Sequence, residues 1–466
     1  MTDPFDSEHA VLSVLVNDEG QYSLWPAATS APPGWTAVLP SADRATALAY
    51  VKEHWTDLRP RSLVRRTRDA EEAGRSGRAE AGTSGRGEAG TSGRAEAAAG
   101  SAETFADMAV DHVAFYVADL AKATEWLTGG YGLTVYARSD GGTGGSAGAR
   151  SAALGSRDIR LLLSQPLAAA HPGAEYVERH GDGVADIALR VPDAGAAFAE
   201  AVRRGARPVA EPADHGGLVT ATIGGVGDIT HTFVHRPAGA DDHALARLVP
   251  AETAETAETA ATGPDCGLGA IDHFAVCVEP GAMDATVDFY RTALDFELIF
   301  TERIEVDAQT MITKVVQSRS GAVTFTLIAP DPNKATGHLD EFLKSHDGPG
   351  VQHIAFTADD AVRSVDALAS RGVDFLPTPA AYYRILPERL TPLRHSTAEL
   401  ERLNILIDED HDGQLFQIFT RSVHPKGTLF LEIIERMGAR SFGSGNIKAL
   451  YQAVEYEQGR GTGSGR

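Results

Sequence analysis

The chain has 466 residues, 43% hydrophobic, 7% aromatic and 23% charged, the balance of a globular protein too long for one core, since single cores stop growing near roughly 250–300 residues. Its formal charge of −22 and pI near 5.1 repel polyanions, which excludes nucleic acid and anionic membranes as main partners. Two cysteines, Cys266 and Cys277, leave no disulfide framework; with an acidic N-terminus, MTDPFDSEHA, and no run of 18 apolar residues, the chain is expected to be cytoplasmic.

Residues 1–65 are expected to form a separate small domain. They hold three of the four tryptophans, Trp25, Trp35 and Trp55, in the stretches NDEGQYSLWP (Asn17 to Pro26), Gly34-Trp35 and WTDLRPRSL (Trp55 to Leu63). So small a fold cannot easily bury three indoles, and the aromatic residues read as a protein-binding face rather than as core. From Ser76 an eight-residue unit repeats three times, SGRAEAGT, SGRGEAGT and SGRAEAAA, with no apolar periodicity to bury. Residues 66–105 are therefore expected to be a flexible linker. A second low-complexity tract, AETAETAETAAT at 251–262, is rich in good helix formers and marks a linker over 238–265.

Between and beyond these linkers the sequence repeats itself. VDHVAFYV (Val110 to Val117) resembles IDHFAVCV (Ile271 to Val278), and the 32 residues from Gly181 match those from Gly348 in order and in strand-then-helix pattern. Two matches at similar offsets predict two homologous domains, 106–237 and 266–460, each of two modules. The fold class is α+β, with helices such as 361–370 packed outside buried strands.

The chemistry falls in the second copy. Its opening strand carries His273, the equivalent strand of the next module carries His353, and the apolar strand GTLFLEIIER carries Glu432, at spacings of 80 and 79 positions. Any one of these alone reads most simply as a satisfied core side chain, Glu432 pairing with Arg436. A carboxylate between Leu431 and Ile433 is costly to bury without a cation, and two imidazoles with one carboxylate suit a metal centre of the kind Fe(II) oxygenases use. In the first copy the same positions hold His112, Asp186 and, less securely, Thr232, so 106–237 is expected to be a structural partner without metal.

GPGVQHIAF, QLFQIFT, TLFLEIIER and SFGSGNIKALYQAVEYEQ resemble the C-terminal half of 4-hydroxyphenylpyruvate dioxygenases and 4-hydroxymandelate synthases. The resemblance implies a vicinal-oxygen-chelate fold of paired βαβββ modules, Fe(II) held by His273, His353 and Glu432, and 4-hydroxyphenylpyruvate and O2 as substrates. It further implies that Thr313, Thr326, Ile328, Gln352, Gln417, Phe442, Asn446 and Ile447 line the substrate site and that a helix from Asn446 to Tyr456 closes it; a homodimer is a family expectation. Where homogentisate-forming members read P-I-N-E-P this chain has Thr326-Leu327-Ile328-Ala329-Pro330, and where they read G-N-F it has Gly445-Asn446-Ile447. Thr326, Ile328 and Ile447 depart toward the hydroxymandelate-forming pattern; His338 stands where the family often has Gln, and Thr313 where it often has Ser.

The tryptophan-rich stretches of residues 1–65 resemble MbtH-like proteins, which implies a small α+β domain with a three-stranded antiparallel sheet. The implied partner is the adenylation domain of a nonribosomal peptide synthetase, touched by Ser23, Leu24, Trp25 and Trp35. That context favours hydroxymandelate, which feeds 4-hydroxyphenylglycine supply, over homogentisate, which belongs to tyrosine breakdown. Two other readings stay open: a homogentisate-forming dioxygenase, and a non-catalytic synthetase-binding protein.

Overall fold

The computed structural model of the chain describes residues 11–54 and 104–446, except 18–21, 28, 33, 140–147, 238, 241–244, 246–247, 252–264, 307–308 and 444. They fall into two units, one within Met1–Gly90 and one within Thr91–Arg466. In the first, the apolar stretch LSVLVN makes Leu12–Asn17 (β1) the centre of a three-stranded antiparallel sheet between Tyr22–Pro26 (β2) and Trp35–Ala42 (β3). Asp43 starts helix Arg44–His54 (α1), its carboxylate accepting from Thr46 N and Thr46 Oγ1 at 2.9 Å. Ala47, Tyr50 and Val51 of α1 pack on Leu12, Val14 and Leu24. Because strand side chains alternate, the register that pairs Val14 with Leu24 and Leu15 with Ser23 sends Leu24 into this core. Ser23 and Trp25 turn to the sheet face away from the helix, as does Trp35 opposite Asn17.

The second unit uses one βαβββ pattern four times. The first module is Ala109–Tyr116 (β4), Leu120–Glu125 (α2), Thr134–Ser139 (β5), Ala149–Ser156 (β6) and Ile159–Pro166 (β7). Helix Pro172–His180 (α3) leads to the second: Gly183–Arg190 (β8), Ala194–Arg203 (α4), Pro208–Asp214 (β9), Val219–Gly224 (β10) and Thr230–His235 (β11). A two-residue strand, Val249–Pro250 (β12), adds to the edge of β5. The third module is Leu268–Cys277 (β13), Met283–Leu294 (α5), Glu297–Val306 (β14), Gln309–Gln317 (β15) and Thr324–Pro330 (β16). Helix His338–His346 (α6) leads to Gly350–Ala358 (β17), Ala361–Ser370 (α7), Ala380–Arg389 (α8), Thr397–Leu403 (α9), Leu406–Glu409 (β18), Gln414–Phe419 (β19) and Phe430–Met437 (β20). Asp119, Asp193 and Asp360 cap α2, α4 and α7, each accepting from backbone N–H groups of the first turn.

The two sheets run in the same order, β5-β6-β7-β4-β8-β11-β10-β9 and β14-β15-β16-β13-β17-β20-β19-β18. In each, the opening strands of two modules pair antiparallel at the centre, and each opening strand runs parallel to the last strand of its own module. A shared apolar core joins the halves. Phe325 lies against Phe274, Tyr290 and Phe296 with ring centroids 4.7–5.7 Å apart, each fully buried ring contributing about 1.5–3 kcal/mol. At the seam the His180 ring, at the end of α3, stacks 4.4 Å from that of His346, at the end of α6. Among the described residues no helix is long and apolar enough to cross a membrane.

Parts of the expected linkers are packed. Phe105 is buried beside Phe233, and Leu245 packs on Ala137 and Ala153, with Leu248 beside them. Both follow from apolar side chains meeting uncovered sheet. Residues 66–103 and the AETAETAETAAT tract, apart from Ala251, lie outside the described residues, as does Trp55.

Each half carries the same buried ion pair. Asp111, with a fully buried side chain, is forked by Arg236 at 2.7 and 2.8 Å and accepts from His112 Nδ1 at 2.8 Å. In the other half Arg436 forks Asp272 at 2.7 and 2.8 Å, and Asp272 accepts from His273 Nδ1 at 2.7 Å. Each pair reaches over the intervening central strand, β8 or β17. Burial pushes the Asp111 carboxyl up, but hydrogen bonds and charge from Arg236 and His112 outweigh it and hold the group well below the usual carboxylate range. Asp111→Asn leaves a buried guanidinium without its counter-charge and is expected to cost about 3–5 kcal/mol in chemical denaturation at pH 7. A carboxylate depressed in the folded state contributes stability above its unfolded value, near 3.9, and loses it as pH falls below that. The acid-side decline in stability should therefore be shallower in Asp111→Asn than in the wild-type chain.

Candidate metal centre and active-site cavity

The centre of the second sheet brings three expected residues together by register. His273 on β13 lies opposite Ala355 on β17, and Ala355 lies opposite Glu432 on β20, so imidazole and carboxylate flank one small residue. His353 sits two positions before Ala355, on the same face, in the next row between Ala275 and Phe430. Two alanines thus leave room in front of the sheet for three polar side chains. Nε2 of His273 and Nε2 of His353 lie 3.4 and 3.2 Å from the same oxygen, Glu432 Oε2.

Neighbours orient the rings. His273 Nδ1 bonds Asp272 at 2.7 Å and His353 Nδ1 bonds Gln352 Oε1 at 3.2 Å, which turns both Nε2 atoms toward Glu432. Burial acts to lower His273, but the Glu432 charge and the bonds to Asp272 and Glu432 prevail and raise it to about 9. Burial holds His353 below its ordinary value, Glu432 offsetting only part. The Glu432 carboxyl, 2% exposed, is pushed up by burial yet held down at about 2 by the charge of His273 and the bonds from both rings. Arg436 serves Asp272, not Glu432.

The donor set fits a divalent ion. An octahedral ion with bonds of about 2.1 Å holds neighbouring ligands about 3 Å apart, close to the separations here, and two neutral nitrogens with one carboxylate leave open positions for small ligands. A second grouping, Asp360, His395 and Glu435, has a different character. Glu435 already accepts from Ala361 N at 2.6 Å, Arg394 Nη1 at 2.6 Å and His395 Nε2 at 2.8 Å, so a guanidinium and a helix N-terminus neutralise it.

A cavity of about 390 Å³ opens onto the triad, at the small end of the range for ligand pockets. Its wall is largely apolar and includes four phenylalanines, Phe300, Phe419, Phe430 and Phe442. Phe430 stacks on His353 at 5.0 Å and Phe442 meets His273 edge-on at 5.2 Å. Thr313, Thr326, Ile328, Gln352 and Gln417 also line it, and His338 stands on the rim with the start of α6. Thr326 Oγ1 and Gln417 Oε1 are buried without a protein partner, polar atoms that a ligand can satisfy. Asn446 does not reach the cavity: it is buried beside α8, accepting from Tyr382 Oη at 2.7 Å. Ile447 and the expected closing helix beyond it lie outside the described residues.

In the first half the same rows hold a poorer set. Asp186 occupies the place of His353, opposite Ala114, and Thr230 and Thr232 fall where Phe430 and Glu432 stand. Asp186 Oδ1 accepts from both threonine hydroxyls at 2.6 and 2.9 Å, and burial raises its pKa, favouring the uncharged acid. The adjoining cavity is about 180 Å³.

The Asp272–Arg436 clamp and the walls Phe300, Phe419 and Phe430 were missed in the sequence. The Asp-His pair, present at both 111–112 and 272–273, was the available signal for the clamp.

Comparison with known proteins accords with this geometry. Residues 1–67 match the MbtH-like protein family, and residues 109–243 and 270–385 match the glyoxalase/bleomycin resistance protein/dioxygenase superfamily. The chain is 34% identical over 367 residues to a 4-hydroxyphenylpyruvate dioxygenase of Dictyostelium discoideum, covering 75% of this chain and 97% of that protein. It is 31% identical to that of Yarrowia lipolytica, covering 92% of it. Among solved structures, a triple mutant of 4-hydroxymandelate synthase from Streptomyces coelicolor superposes with a TM-score of 0.65 at 42% identity, over 76% of this chain and 99% of that one.

Loss of a direct ligand should weaken divalent-metal binding by more than the about 10–100-fold typical of supporting residues. Equilibrium dialysis with Co(II) is expected to show one ion per chain, abolished by Glu432→Ala or His353→Ala and unchanged in Asp186→Ala; a second equivalent lost with Asp186 would contradict the assignment.

Proposed function

We propose that this chain, which belongs to the 4-hydroxyphenylpyruvate dioxygenase family of the glyoxalase/bleomycin resistance protein/dioxygenase superfamily and begins with an MbtH-like domain, is an Fe(II)-dependent 4-hydroxymandelate synthase. It would convert 4-hydroxyphenylpyruvate and O2 to 4-hydroxymandelate and CO2. The observation that carries this is the convergence of His273 Nε2 and His353 Nε2 on Glu432 Oε2, at 3.4 and 3.2 Å, in a largely apolar cavity lined by four phenylalanines. Fe(II) held by these three residues would supply dioxygen activation and a chelation point for the 2-oxo acid.

The chain's own residues do the rest. Asp272 and Gln352 hold the two imidazoles so that Nε2 faces the centre. Thr326 Oγ1 and Gln417 Oε1 offer hydrogen bonds to substrate. Phe300, Phe419, Phe430 and Phe442 grip the ring and keep bulk water from the reacting end. Thr326 lies in the row of His353, across Ala275, and Ile328 lies two residues further out, opposite Thr313, roughly 6–7 Å along the strand. An isoleucine there presents no polar contact to the ring, so the substrate can turn its benzylic carbon toward the metal. The 42% identity to a hydroxymandelate synthase supports this product over homogentisate.

The MbtH-like domain would bind the adenylation domain of a nonribosomal peptide synthetase through the sheet face that α1 leaves uncovered, with Trp25 and Trp35 as anchors beside Ser23. Leu24 would contribute by holding the strand in place, since it packs beneath it.

Anaerobic loading with Fe(II), then aerobic incubation with 4-hydroxyphenylpyruvate, is expected to give hydroxymandelate by chromatography and mass. Homogentisate would overturn the product assignment, and no oxygen uptake would favour the binding-protein reading. Thr326→Pro with Ile328→Asn should raise the homogentisate share about tenfold, the effect of about 1.4 kcal/mol between two poses. Trp25→Ala with Trp35→Ala should abolish co-purification with the adenylation domain while leaving dioxygenase turnover unchanged.

A further inference from the structure

Four residues past Glu432 on β20, and on the same face because strand side chains repeat every second residue, stands Arg436. Its Nε and Nη2 donate to the two oxygens of Asp272 at 2.7 and 2.8 Å, and Asp272 accepts from His273 Nδ1 at 2.7 Å. Its Nη1 donates to the carbonyls of Ala439 and Ser441 at 3.1 and 2.7 Å, which fastens the turn after β20. The guanidinium carbon lies 5.0 Å from the centroid of the Phe442 ring, and that ring meets His273 edge-on at 5.2 Å. Arg436 therefore reaches His273 by two routes, through Asp272 and through Phe442.

We infer that Arg436 is a positioning residue that sets the His273 imidazole and the Phe442 wall of the cavity as one unit, fixing the pose of the aromatic substrate relative to the metal without touching either. This rests on the iron-dependent reading given above. The planar guanidinium is what the task requires: it forks a carboxylate, donates to two carbonyls from a third nitrogen and presents a flat face to a ring, which an ammonium cannot do together.

The duplicate half supplies the control. Arg236 forks Asp111 with the same atoms at 2.7 and 2.8 Å, and Asp111 accepts from His112 Nδ1 at 2.8 Å, in a half where Asp186 and Thr232 replace the other two ligands. The fork by itself thus belongs to the fold, and the bonds to Ala439 and Ser441 with the contact to Phe442 tie it to the cavity.

Arg436→Lys and Arg236→Lys are to be compared in the full chain. Both should lower the melting temperature to a similar extent. Arg436→Lys should also weaken Co(II) binding to the metal-free protein by about tenfold, within the range for supporting residues, and lower kcat by about tenfold with KM changed less than about threefold. Arg236→Lys should leave metal affinity and kcat within about twofold of wild type. If the two variants match in metal affinity and kcat, the inference is overturned. Should Arg436→Lys fail to fold, Phe442→Leu tests the second route to His273: weaker Co(II) binding supports it, and unchanged Co(II) affinity overturns it. A wild-type chain with no product would defeat the functional reading instead, while Co(II) affinities of the two lysine variants would still decide this one.

Discussion

A carboxylate sealed inside a sheet must meet positive charge, and Glu432 sets the terms for everything around it. With 2% of its surface exposed and leucine and isoleucine on either side in the chain, it is tolerable only because two imidazole nitrogens lie within 3.4 Å. Those imidazoles are aimed by Asp272 and Gln352, and Asp272 is itself tolerable only because Arg436 forks it. Charge is balanced outward in shells from one oxygen atom, and the strand order β13-β17-β20 is what lets three distant stretches of chain supply the members. The alanines at 275 and 355 matter as much as the charged groups, since larger side chains in those rows would fill the space in front of the sheet.

Much of this was legible in the sequence, for reasons that also explain what was not. The paired modules could be read because opening strands and their following helices repeat with similar apolar pattern, and the α+β class followed. The triad could be read because its members fall at nearly equal spacing on equivalent strands, so one repeat predicts where the next residue stands. Thr232 was an uncertain match, and register now puts it in the row of Glu432. Long-range partners were not legible. Nothing local to Arg436 says that it serves Asp272, 164 positions away, rather than the nearer Glu432, and the aromatic walls Phe300 and Phe419 lie in strands whose apolar pattern looks like any core. Asn446 was placed in the substrate site by resemblance, whereas its side chain accepts from Tyr382 of α8 and is not among the cavity's lining residues. Phe105 and Leu245 fell inside low-complexity surroundings, where composition outvotes a single apolar residue.

The duplication also shows which features a fold keeps when its chemistry differs. Both halves retain strand order, aspartate caps and the buried Asp–Arg pair, whereas the residues facing the cavity diverge: a carboxyl bonded by two threonines stands where the other half has an imidazole and a carboxylate. Scaffold and chemistry occupy alternate faces or separate rows of the same strands, so they can change independently.

The helix α6 has one end at each of these territories. Its first residue, His338, stands on the rim of the cavity, and its last, His346, stacks on His180 of the other half. A nine-residue helix spans about 14 Å, so one short element joins the cavity to the seam between the two copies. The half with the poorer donor set therefore packs, through His180 at the end of α3, against the far end of the helix that borders the cavity, so the seam between the copies and the metal-facing cavity share one element.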